Sequence, residues 1–531
     1  MQISKPAGQQ PLSVQVSWLG ILGLLLLAFT VRFWGLRDQL FIHADDAWHI
    51  VLIQRFARDN ILDYSQARPM YPYLLGLMAR LADNSYFFPS QVSAVSGGVL
   101  ALVILYWTHA RAGLLAGISA GLLVAVSPLE IYFSKTSGPI TPATLVMTLS
   151  TVALALGLES LMADRRVTRG SIAFGVAAGI LAGLAVTIHR AFLPVPFFML
   201  GFLGLVLLQA RHRRVLTFLG LFVLGALVPV FIAQIVTERY QPPSVNHFGY
   251  LNQLRAALEQ QRDWRSGPGG RGWWFYLVGF WETEGLLAAV LAVGGTAFGA
   301  WRWLHHRDWW SGLLVWLVVT TFGYASLVSA GGGITVLRAV APALPLISIL
   351  SGIAFARWCQ AVAGFVGVRA GVVQAVALAT LVVSGIFLAW PVINARTGFT
   401  SAMEIVRNND GFAASFDDDP WRVLTAPRPL ILVGPKRQDR SPVEMARDQS
   451  LVAGPCHLLL EHYELWDDRL ILGGLADLSL SELGTPLAVI ENTRDILTPA
   501  RVEFGDVPYA AELRVYLEPP VCRELEVART R

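Results

Sequence analysis

The chain has 531 residues, 54% of them hydrophobic and only 15% charged, and its mean hydropathy is +0.52. Soluble globular proteins carry about 25% charged residues, so this balance excludes an ordinary soluble enzyme and points to a polytopic α-helical membrane protein. The net charge of +4 is small for this length and gives no reason to invoke nucleic acid.

A bilayer needs roughly 20 apolar residues per helix. Windows of about that length recur near 16–36, 89–109, 112–129, 141–162, 171–188, 191–210, 215–236, 275–300, 310–329, 338–358 and 371–391, about 11 spans in all. The first lacks a small-residue cleavage site and is too long for a signal-peptide core, so it reads as a retained helix. Arg32 near its end reads as an interfacial anchor or a partner of Asp45. Just beyond comes His43-Ala44-Asp45-Asp46-Ala47-Trp48-His49, two adjacent carboxylates flanked by histidines. Acid pairs beside a lipid phase are costly to place. An ionised one can take a proton from an attacking hydroxyl or amine. Alternatively, Asp46 caps the following helix and Asp45 is solvated. The His43 and His49 spacing matches no recognised metal motif, and a divalent metal is left open.

Segment 37–88 carries two stretches with helical apolar spacing, Asp46 to Arg58 and Met70 to Leu81. Both read as amphipathic helices on the membrane surface, with an aromatic belt from Tyr71, Tyr73, Tyr86, Phe87 and Phe88. The short connections at 165–169, 211–214 and 301–307 are basic. The positive-inside rule makes them cytoplasmic. Segments 37–88, 237–274 and 392–531 then share the extracytoplasmic face. Segment 237–274 contains Pro242-Pro243, Asn246-His247-Phe248 and Ser266-Gly267-Pro268-Gly269-Gly270, composition expected of a lid without regular structure. A lid histidine such as His247 could touch substrate. Glu282 and Glu284 read as acids capping the helix that follows the lid, and the spans are otherwise nearly free of Asp and Glu. After Asn394 the composition turns soluble. Runs at 429–434 and 486–490 read as buried strands, and 392–531 as a soluble α/β domain. Cys456 and Cys522 there either form a disulfide or stay as two thiols.

These features resemble a GT-C-fold membrane glycosyltransferase. An arginine near the end of the first helix, then an acidic pair, then two surface helices are similar to the protein mannosyltransferases and the aminoarabinose transferase of lipid A. Ala67-Arg68-Pro69-Met70-Tyr71 is similar to the basic residue and proline that precede the second surface helix in those families. Ser127-Pro128-Leu129-Glu130-Ile131-Tyr132-Phe133-Ser134-Lys135, Ile188-His189-Arg190 and Val336-Leu337-Arg338-Ala339-Val340-Ala341-Pro342 resemble their later loop motifs. The chain departs from the pattern in carrying Asp45-Asp46 for Asp-Glu, Ile140-Thr141 where a further acid is usual, and Ala339 for a tyrosine.

The resemblance implies a hexosyl- or pentosyltransferase. It would move a sugar from a polyprenyl-phosphate donor to an extracytoplasmic lipid, glycan or protein, with inversion and no required cofactor. The expected setting is the bacterial inner (cytoplasmic) membrane. Asp45 and Asp46 would be catalytic within a membrane module over 1–391. Arg68, Lys135, Arg190 and Arg338 would hold the donor phosphate, and His49, His189, His247 and Tyr71 would contact substrate. Each cation could instead anchor a helix end. Other readings are a transporter or flippase of a lipid-linked saccharide, whose coupling charges sit near mid-membrane, or a structural subunit of an envelope glycan assembly complex.

Overall fold

The computed structural model describes residues 14–39, 42, 46–62, 67–81, 87–163, 168–210, 213–242, 248–263, 272–331 and 336–409. Beyond these it describes the short stretches 430–433, 457–463, 469–472, 475–479, 485–493, 499 and 510–517.

The chain opens with α1 (Val14–Phe33), followed by two short helices, α2 (Asp46–Asp59) and α3 (Met70–Ala79). Next come α4 (Phe88–Ala112), α5 (Leu114–Val126), α6 (Pro128–Lys135), α7 (Ile140–Ala163), α8 (Arg169–Ile188), α9 (Pro194–Ala210) and α10 (Arg213–Tyr240). A surface helix α11 (Tyr250–Asp263) precedes α12 (Phe275–His306), α13 (Trp309–Ala330), α14 (Leu344–Val366), α15 (Ala370–Ile393) and α16 (Phe399–Asn409). Among the described residues, nine helices are long and apolar enough to cross a membrane, or ten if the bent pair α5–α6 is one span. With α1, they fall on the predicted windows, and the protein is a multi-pass membrane protein. One boundary differs. The prolines Pro342 and Pro345 turn the expected start at 338 into two 3-10 turns, Leu337–Ala339 and Ala341–Ala343, and the helix proper runs on to Val366.

Small residues let the central helices touch backbone to backbone, as membrane bundles require where lipid offers no hydrophobic drive between helices. On α8, a Cβ at Gly179 would stand 2.1 Å from the Phe222 carbonyl oxygen of α10, and one at Gly183 would stand 2.3 Å from that of Ala226.

The break between α5 and α6 bends the chain by 55°. Pro128 cannot donate back into α5, and Ser127 Oγ caps the new helix by accepting from Glu130 N at 3.1 Å. Arg32 is completely buried and closes the end of α5, donating to the carbonyls of Val124 (2.9 Å) and Ala125 (3.2 Å). It is thus no interfacial anchor but a cation on a helix C-terminus; Asp45, its other expected partner, lies outside the described residues. Glu284 differs from expectation too. It lies beside the break at Gly285 within α12 and caps α6, accepting from Ser127 Oγ at 2.8 Å and Leu129 N at 3.0 Å. Glu130 and Glu284 are both buried, so the bundle interior is richer in acid than the sequence suggested.

The C-terminal region contains β1 (Leu430–Val433), β2 (His457–Tyr463), β3 (Arg469–Leu472), β4 (Leu475–Ser479), β5 (Ala488–Glu491) and β6 (Ala510–Leu517). β1 and β5 fall on the two predicted strands. The main sheet has order β1-β2-β6-β5, parallel only between β1 and β2. After α16 the described elements are strands alone, so the expected α/β class is not supported there. Cys456 and Cys522 lie outside the described residues.

Candidate active site

Asp46 begins α2 and is buried. Its Oδ1 accepts a hydrogen bond from Ser137 N at 2.8 Å. Ser137 sits in the short turn between α6 and α7, and Tyr71 Oη donates to its carbonyl at 2.7 Å. Ser137 is therefore held at both its N–H and its C=O, by the first surface helix and by the second. Burial pushes the Tyr71 phenol well above its ordinary range, with Ser93 opposing and the Asp46 charge adding to the rise. Tyr71 consequently remains a donor at physiological pH.

His49 lies three residues after Asp46, on the same helical face. Its Nε2 is 3.3 Å from Arg68 Nη1, and its ring meets Tyr71 edge-on with centroids 5.7 Å apart. Guanidinium groups only donate, so the ring accepts through Nε2. Arg68 is 4% exposed.

The second half of the site comes from the end of α8, a helix that packs against α3. His189 separates α8 from the 3-10 turn Arg190–Phe192, and that turn packs against Leu337–Ala339. Both turns carry an arginine. His189 Nδ1 accepts from Ala191 N at 3.1 Å, so the proton of the neutral ring sits on Nε2. That nitrogen is buried without a hydrogen-bond partner among the described residues. Burial, followed by the charges of Arg68, Arg338, Arg190 and His49, holds His189 well below the usual histidine range. A neutral ring with an unused N–H thus stands among three guanidinium groups drawn from three separate elements. Such an arrangement is suited to an anion.

Overall shape decides the fold. The chain superposes on an oligosaccharyltransferase from Archaeoglobus fulgidus with a TM-score of 0.55, over 76% of this chain and 59% of that one, at 14% identity. It matches ArnT from Cupriavidus metallidurans in its apo state with a TM-score of 0.50, over 85% of this chain and 94% of that one, at 13% identity. The protein has the GT-C fold. The chain spans 59% of the length of the oligosaccharyltransferase. No protein-family model and no curated protein matches the sequence.

Within this GT-C fold, the predicted residues divide. Asp46, His49, Arg68, Tyr71, His189, Arg190 and Arg338 form the connected cluster just described. Lys135, expected on the donor phosphate, does not share those contacts. Its buried ammonium donates to the backbone carbonyls of Trp34 (2.6 Å) and Ile393 (3.3 Å), tying α6 to the ends of α1 and α15. Asp45, His43 and His247 lie outside the described residues. Among the described residues, no group of three or more His, Cys, Asp or Glu side chains converges as a metal centre would.

Three contributors escaped the sequence reading. Ser137 acts through its peptide, which no side-chain pattern advertises. Ser93 supports the same turn by donating to the Gly138 carbonyl at 3.1 Å. Gln253 lies in the segment expected to be an irregular lid, of which 250–263 is helix α11 instead. The glycines and prolines that suggested irregularity flank it, while the buried Tyr250, Gln253 and Ala257 follow a helical period. Gln253 Oε1 accepts from Ala67 N at 3.2 Å. Ala67 has φ of +62°, a left-handed conformation uncommon for a non-glycine residue, and Arg68 follows it directly.

Proposed function

We propose that this GT-C protein transfers a hexose or pentose from a polyprenyl-phosphate-linked donor to an extracytoplasmic lipid, glycan or protein acceptor, with inversion, in the bacterial inner membrane. The observation that carries this reading is the unused His189 N–H among Arg68, Arg190 and Arg338, in one cluster with the anchored Asp46. A solved structure of an archaeal oligosaccharyltransferase, AglB from Archaeoglobus fulgidus, holds a dolichol-phosphate and an inhibitory peptide; it matches this chain with a TM-score of 0.51 over 74% of it, at 12% identity.

In this mechanism the three arginines and His189 bind the donor phosphate. As the bond from the anomeric carbon to the phosphate oxygen breaks, the electron pair goes to that oxygen. The cluster stabilises the charge, the electrostatic contribution that is often largest in enzymes. One carboxylate of the Asp45–Asp46 pair takes the proton of the attacking acceptor hydroxyl, and the other orients that hydroxyl. Arg68 acts in both halves, holding phosphate while its contact with His49 ties the cations to the acid-bearing helix.

The test is transfer of radiolabel from a polyprenyl-phosphate sugar in membranes containing wild type, Asp45→Asn, Asp46→Asn or Arg338→Met. Loss of at least about a hundredfold in one acid variant and in Arg338→Met is expected, the range of lost acid–base or oxyanion groups. Undiminished transfer by all three variants would overturn the reading. Mass spectrometry of envelope glycans from a deletion strain then names the sugar and acceptor together.

A further inference from the structure

At the end of α6 remote from Ser137, the bundle contains a cavity of about 720 Å³, within the size range of small-molecule sites. Helices α5, α12 and α15 wall it, mostly with apolar side chains such as Leu123, Val126, Leu287 and Leu388. Its rim includes Leu286, Val383 and Phe387, which are exposed on membrane-spanning helices. The cavity therefore opens toward lipid tails rather than toward water.

One ionisable group lines it. Glu284 is 9% exposed, and its Oε1 takes both described hydrogen bonds, from Ser127 and Leu129. Among the described residues none reaches Oε2. The neighbouring hydroxyls cannot help, because Thr380 and Ser384 donate to the Val376 and Leu381 carbonyls of their own helix. Gly285 beside it keeps the wall open, with φ of +79° and no side chain. A carboxyl oxygen without a donor in an apolar site at membrane depth is costly. The missing donor is best supplied by whatever fills the cavity.

Charge narrows the occupant. Among the described residues no lysine or arginine lines the cavity, so a phosphate-bearing head group would meet only Glu284. An uncharged hydroxyl meets no such repulsion. We propose that the cavity binds a neutral membrane lipid of the diacylglycerol class, its free hydroxyl donating to Glu284 Oε2 and an acyl chain lying against α15. The α6 helix, eight residues or about 12 Å long, separates this hydroxyl from the turn that anchors Asp46, so it is not a reacting group. Occupancy bears on the start of α6, and the far end of that helix leads into the turn that holds Ser137. This inference stands apart from the transfer reaction.

The experiment uses the full chain in phosphatidylcholine nanodiscs. They are doped with a diazirine-bearing diacylglycerol or with the same lipid capped as its methyl ether. After irradiation, peptides covering 284–288 and 379–388 are quantified by mass spectrometry. The free-hydroxyl probe should label them saturably and about tenfold more than the ether, as expected for one hydrogen bond to a buried carboxyl oxygen. Unlabelled diacylglycerol should compete. Glu284→Gln keeps an oxygen for Ser127 and Leu129 but turns an N–H toward the cavity. An ether oxygen can accept that bond as well as a hydroxyl can, so the preference should vanish. Ala288→Trp should abolish labelling by both probes. Equal labelling of wild type by the two probes, or none in these peptides, would overturn the proposal, even if either variant fails to fold.

Discussion

Asp46 and Ser137 are joined by a 2.8 Å hydrogen bond between positions 91 residues apart. That bond makes the acid part of the α6–α7 turn as well as of the surface helix α2. Tyr71 donates to the carbonyl of the same residue, so the two surface helices and the bundle share one fixed point. A carboxylate held in this way loses little orientation entropy when substrate arrives, which is the benefit of preorganisation.

Replacing Asp46 with Asn separates the anchor from the chemistry. The Asn carbonyl oxygen still accepts from Ser137 N, so thermal stability should change by less than about 1 kcal/mol. Transfer should fall by about 10²- to 10⁴-fold if Asp46 supplies the base. Asp46→Ala removes the acceptor as well and should lower the unfolding temperature, leaving a buried amide without its partner. Parallel thermal-shift and radiolabel assays distinguish these outcomes.

His189 links the site to pH. Its folded-state value lies well below the ordinary 6.5. As pH falls through about 6.5, the unfolded chain takes up a proton that the folded chain refuses. Stability should therefore be full above pH 6.5 and decline below it. His189→Gln should flatten this acid limb, measured as the unfolding temperature between pH 7.5 and 5.5. An unchanged slope would remove His189 as its source.

Much of this was legible in the sequence, for physical reasons. Membrane spans announce themselves because each must be apolar along its whole length. The surface helices at α2 and α3 showed because their apolar residues keep a helical period. Arg190 and Arg338 stood out as cations at span ends and Arg68 as one before a surface helix, and each reaches the site through the turn that carries it. Lys135 carried the same signal and yet is used on backbone carbonyls, since a cation at a helix end serves either purpose. Ser137 was invisible because its contribution is a peptide N–H. Helix α11 was hidden by the flanking prolines and glycines. Glu284 was misread because a cap on a neighbouring helix cannot be distinguished in sequence from a cap on its own.

Gln253 offers a test of the α11 contact. Removing its carbonyl in Gln253→Ala frees Ala67 N and loosens the strained residue beside Arg68. The loss of one neutral hydrogen bond, about 1 kcal/mol, should raise the donor KM by about fivefold, with kcat reduced less. Gln253→Glu retains an acceptor oxygen for Ala67 N and should stay near wild type. Equal KM values for wild type and Gln253→Ala would show that Arg68 is held without α11.

The crossing of α8 and α10 sets how much the bundle tolerates. At Gly179 even a methyl group would stand 2.1 Å from the Phe222 carbonyl oxygen, and backbone cannot yield as a flexible side chain would. Gly179→Val should therefore cost at least about 1–3 kcal/mol, the usual penalty for overpacking, and lower the unfolding temperature or abolish folding. Gly220 on α10 provides the control, since a Cβ there meets nothing within 4 Å. Gly220→Ala should hold or slightly raise stability, because alanine favours the helix by about 1 kcal/mol over glycine. If both variants unfolded at the same temperature, the close approach of α8 and α10 would not be what limits the substitutions the bundle accepts.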